Sequence, residues 1–101
     1  MVLMSLPLYI INAFTSTTFG GNPAAVMPLE YWLSDETLLA IAAQHNLSET
    51  AFFVHTSAGH YELRLFTPGA EVQLCGHATL ASAHVLKAHL GFQGDEVIFS
   101  T

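Results

Sequence analysis

Hydrophobic and polar positions alternate with period two in HYELRLFT (60–67), where Tyr61, Leu63 and Leu65 share one face and Glu62 and Arg64 the other. That pattern predicts a half-exposed antiparallel strand. LPLYIINAF (6–14) is a nearly unbroken run of aliphatic and aromatic residues and predicts a first strand, mostly buried. TSTTFGGNP (15–23) predicts a loop, because Gly20 and Gly21 permit close backbone approaches and Asn22-Pro23 is a turn signal. Residues 24–27 predict a short second strand ended by Pro28, and residues 50–55 a third with Glu49 at its entrance. A turn at 56–59 precedes the alternating strand, Pro68 and Gly69 end that strand, and 71–75 and 97–99 predict two more.

Two segments carry helical spacing instead. Leu38, Ile41 and Ala42 recur behind Ser34, a good N-cap, with Asp35 and Glu36 in the first turn, so a helix is expected over 35–45, stopped near Asn46. CGHATLASAHVLKAHLG (75–91) is apolar around most of its circumference, with only Thr79, Ser82, His84, Lys87 and His89 polar between residues 78 and 90. It predicts a central helix from about 77 to 90, wrapped by other elements. Gly91 suits the position just past a helix, and Lys87 and His89 suit its negative end. The segment is too short and too polar to span a bilayer, which takes about 20 apolar residues. Its first turn presents unpaired N–H groups beside Gly76 and His77, a place suited to a carboxylate. The fold class expected is α+β, a mainly antiparallel sheet with two helices.

Composition narrows the function classes. The 101 residues suit one domain, 51% hydrophobic and only 10% charged, which is explained either by a compact core or by apolar surface that a partner or a further domain covers. Arg64 and Lys87 are the only basic side chains against eight acids, which argues against nucleic acid and against anionic membrane surfaces. Cys75 is the single cysteine, no basic leader precedes the first apolar run, and a reducing cytoplasm is the expected compartment.

Three blocks, FGGNPAAV (19–26), NLSETAFF (46–53) and FTPGAEVQLCGHATLASAHVL (66–86), resemble the signature blocks of the first lobe of PhzF-type isomerases, phenazine-biosynthesis-like proteins with the diaminopimelate-epimerase fold. The resemblance covers nearly the whole chain. It implies a lobe over 1–101 whose sheet curls around the central helix, and cofactor-free proton-shifting chemistry. It also implies that Glu49 is the general acid/base, that Gly76 and His77 lie at the substrate, and that Asn22 belongs to the substrate-binding loop beside them. Such chemistry needs a carboxylate able to take and return a proton, and donors to hold a small carboxylate-bearing substrate.

Other readings of these residues stay open. Glu49 is otherwise a solvated acid at a strand start, His77 a helix cap, and Asn22 part of a turn rather than of the site. Cys75 is a buried small residue or, as in racemases of the same fold, an alternative acid/base. The histidines lack zinc-site spacing, so no metal is expected. The family has two lobes, and the second is absent from residues 1–101. A homodimer is therefore expected to substitute for it; the alternative is a truncated, non-catalytic remnant that binds small carboxylates or a protein partner.

Overall fold

The computed structural model describes residues 6–13, 22–73, 76–94 and 96–100. In chain order they form β1 (Tyr9–Ala13), β2 (Asn22–Leu29), α1 (Asp35–His45), β3 (Glu49–Ser57), β4 (His60–Phe66), β5 (Glu71–Val72), α2 (Gly76–Ala88) and β6 (Ile98–Ser100). One sheet runs β1-β2-β3-β4-β5, with β6 also paired to β4. The β1–β2, β3–β4 and β4–β5 pairs are antiparallel, while β2–β3 and β4–β6 are parallel. The class is α+β as expected, with a mixed, mostly antiparallel sheet.

Strand alternation sends successive side chains to opposite faces. Ala24 and Val26 of β2, Ala51 and Phe53 of β3, and Leu63 and Leu65 of β4 join Ala78, Ala81, Val85 and Leu86 of α2 in one core. Met27, Leu29, Phe52, Val54 and Phe66 join Leu38 and Ala42 of α1 in a second core on the other face. Phe52 and Phe66 meet edge to face at 5.5 Å in this second core. The fully buried alanines let α2 lie close on the sheet, where it packs against β1, β2 and β3.

Helix α1 follows its local chemistry. The Ser34 hydroxyl accepts from Thr37 N–H at 3.2 Å, and Asn46 ends the helix in the left-handed conformation at φ 52. At the end of α2, Gly91 takes φ +74, as a chain reversal there requires.

Several expectations are corrected. The first strand is not mostly buried: β1 is an edge strand, and Ile10 is 57% exposed. Asn22-Pro23 is no turn but the start of β2, paired with Ala13 and Asn12. Pro28 does not end that strand, which continues to Leu29. Both prolines are tolerated because β2 is flanked on two sides only over residues 24–26; Pro23 has β1 alone beside it and Pro28 has β3 alone. Of the strand expected over 71–75, Glu71 and Val72 pair with β4, Gln73 is outside the strand, and residues 74 and 75 lie outside the described residues. Helix α2 is covered along one stripe, Ala78, Ala81, Ser82, Val85 and Leu86, while Leu80 is 54% exposed. An apolar composition therefore did not mean burial all round. Among the described residues, no helix is long and apolar enough to cross a membrane.

Candidate active site

Glu49 is the first residue of β3, half-exposed, and its backbone is in register with Ala24 of β2. Ala51 and Phe53 belong to the α2-side core, so alternation puts Glu49 on that same face, at the end where β2 and β3 begin. Its carboxylate has no hydrogen-bond or ion-pair partner among the described residues.

Gly76 and His77 open α2, and Ala78, the next residue, is fully buried in the core that holds Ala24 and Ala51. At the other end of the helix, the His89 ring stacks on Tyr9 at 4.9 Å, and Phe92 meets Tyr61 edge-on at 6.5 Å. Tyr9 pairs with Val26, and Tyr61 with His55. The carboxyl end of α2 thus lies against Tyr9 of β1, and the segment after it against Tyr61 of β4. Asn22 opens β2, two residues before Ala24. Cys75, with Leu74 and the FGG segment before Asn22, lies outside the described residues.

Behind Glu49, the corner is tied to α1. His45, the last residue of that helix, places Nδ1 3.4 Å from Oγ1 of Thr50, which is 1% exposed. Burial pushes the His45 imidazole below its ordinary pKa and favours the neutral ring.

A polar cluster that sequence reading missed occupies the α1 face. Arg64 donates to both oxygens of Glu71, at 2.8 and 2.7 Å, and to Asp35 Oδ1 at 2.9 Å. Its guanidinium also lies 5.6 Å from the Trp32 ring centre and 5.5 Å from that of Phe66. Trp32 Nε1 donates to Glu62 at 3.3 Å. The Arg64 bonds hold the Glu71 carboxyl below the usual carboxylate range. Of these residues, Trp32, Glu62, Arg64 and Glu71 line a groove of about 900 Å³; Glu62 and Arg64 alternate with Leu63 and Leu65 of the α2-side core, so they lie on the sheet face opposite that of Glu49. Period-two counting had marked Glu62 and Arg64 simply as an exposed face; an arginine seven residues from a glutamate across Pro68-Gly69 was the available signal. Among the described residues, no three His, Cys, Asp or Glu side chains gather as metal ligands.

Comparison with known proteins agrees with this architecture. The chain is 59% identical over 83 residues to an uncharacterized isomerase of Pseudomonas aeruginosa, covering 82% of this chain and 32% of that one. It is 52% identical over 90 residues to mouse phenazine biosynthesis-like domain-containing protein 1, covering 82% of this chain and 31% of the relative. A crystal structure of a PhzF-family phenazine biosynthesis protein from Enterococcus faecalis superposes with a TM-score of 0.89 at 49% identity, over 95% of this chain and 36% of that one. The chain therefore spans about a third of the length of the relatives it matches. The profile of the phenazine biosynthesis-like family matches residues 11–101. With that match added to the shared fold and the isomerase names of its relatives, this chain belongs to the phenazine biosynthesis-like (PhzC-PhzF) family.

Proposed function

We propose that this chain is the proton-transfer lobe of a cofactor-independent isomerase or epimerase acting on a small carboxylate-bearing substrate. Glu49 is the acid/base. The N–H groups of the first turn of α2, at Gly76 and His77, receive the substrate carboxylate, and Asn22 is a further substrate-binding residue in this reading. The observation that carries the reading is the register: Glu49 falls on the α2 face, beside the core that the first turn of α2 enters at Ala78.

In this mechanism the Glu49 carboxylate takes a proton from carbon, and the C–H electron pair passes into the adjoining unsaturated group. The protonated Glu49 then returns the proton to another carbon of the substrate. A single carboxylate suffices when the proton leaves and returns on one face. Inversion at one carbon requires a second group on the opposite face, which another copy or chain would supply. The amino end of a helix favours the negative charge that builds up as the proton leaves.

Solvent-deuterium incorporation into a panel of small amino and hydroxy acids tests the reading, with Glu49→Gln run alongside. Incorporation lost in that variant supports it, and incorporation that survives removes Glu49 from the mechanism. Cys75→Ala should leave a glutamate enzyme working; loss of exchange there would favour the cysteine instead. A non-catalytic reading, in which the same site only binds a small carboxylate, predicts no incorporation at all.

A further inference from the structure

The corner where β3 begins is held from behind. Asn46 reverses the chain in the left-handed conformation, and three residues later Glu49 starts the strand. Across that short connection, the Nδ1 of His45 faces the hydroxyl of Thr50 at 3.4 Å. Thr50 is buried on the α1 face, and Glu49, its direct neighbour, lies on the α2 face. Helix α1 is itself anchored, with Leu38 and Ala42 fully buried against Phe52 and Phe66. A bond from its last residue to Thr50 therefore ties the strand start to a packed element rather than to a free loop. A neutral imidazole pairs with that hydroxyl through Nδ1, as acceptor in one tautomer and donor in the other, and burial favours the neutral ring.

We propose that the His45–Thr50 hydrogen bond is a positioning device that fixes where Glu49 presents its carboxylate on the opposite face of the sheet. The proposal rests on the acid/base reading of Glu49. His45 and Thr50 touch no substrate in it; they act through the backbone they hold, and placement within a fraction of an ångström is what such chemistry demands.

The test uses the isotopically labelled chain in NMR. Thr50→Val keeps the shape of the residue and removes the hydroxyl. It should speed amide exchange at Glu49 and Thr50 by about tenfold or more while Phe52 and Phe53 stay within about twofold, as for a local opening. The Glu49 carboxyl carbon should shift with it, and the His45 ring nitrogens should lose the signature of a hydrogen-bonded Nδ1. Thr50→Ser should restore all three. His45→Leu removes the hydroxyl's ring partner without entering the core and should reproduce the Thr50→Val pattern, which covers a Thr50→Val chain that fails to fold.

Unchanged Glu49 signals in Thr50→Val or in His45→Leu, a Thr50→Ser chain that behaves like Thr50→Val, or protection lost along the whole of β3 would each overturn the proposal. The reading beneath it fails separately: if Glu49→Gln retains deuterium incorporation, the acid/base role falls while the NMR result on the tether stands.

Discussion

Arg64 grips Glu71 through two nearly parallel bonds of 2.8 and 2.7 Å, and with its remaining nitrogen it reaches Asp35 in the first turn of α1. One side chain thus pins β4 to β5 and both to a helix. Its position between the Trp32 and Phe66 rings adds packing to the charge contacts. Because Glu71 is 43% exposed and Asp35 82% exposed, solvent screens these pairs, so Arg64→Met should cost about 1–2 kcal/mol, read from urea unfolding.

Glu71 gives that staple a pH signature. Its carboxyl is held below its ordinary value of 4.5, so its contribution is complete above that value and fades as the pH falls through the lower folded value. Glu71→Gln should flatten the acid limb of the stability curve and leave its neutral region nearly parallel to that of the wild type.

His45 acts in a different window. Burial lowers its pKa in the folded chain, so its contribution is complete above the ordinary value of 6.5 and declines as the pH falls below it. The urea midpoint should drop between about pH 7.5 and 5.5, and His45→Gln should reduce that slope. An unchanged slope would show that this ring does not govern the transition.

The two faces of the sheet should respond differently to truncation. Phe52 is fully buried among Leu38, Phe66 and their neighbours, so Phe52→Ala should destabilise by about 3–5 kcal/mol. Ile10→Thr on the exposed side of β1 should stay within about 0.5 kcal/mol. Thermal melts of the two variants check the contrast.

Pairing of two copies is a proposal with its own readout. Leu80 at 54% exposure, together with the groove that Thr79, Ala83, Lys87, Val97 and Phe99 form beside it, is the apolar surface such pairing would cover. Sedimentation should then show a dimer at micromolar concentration, weakened by Leu80→Glu. A stable monomer would refute it.

Much of this architecture was legible where local chemistry decides it. Ser34 and Asn46 bracket α1 by capping alone, and the alternation of Tyr61, Leu63 and Leu65 against Glu62 and Arg64 assigned the faces of β4 correctly. What escaped depends on neighbours distant in the chain. Proline reads as a strand breaker, yet Pro23 and Pro28 sit inside β2 because of where β1 and β3 stop beside it. The exposure of Ile10 follows from β1 lying at the sheet edge, which its run of apolar residues does not encode. Glu49 at the entrance of β3 was legible by position; that it shares a face with α2 emerges only from the pairing register.

The two prolines of β2 also act as end stops. Moving β3 two residues toward Asn22 would keep every side chain on its own face, but it would bring Pro23 between two strands; sliding β1 the other way would do the same to Pro28. Either slip leaves a carbonyl facing a ring nitrogen that has no proton to give, at a cost of about 1–3 kcal/mol. The observed alignment avoids both penalties, and it is the alignment that sets Glu49 beside Ala24.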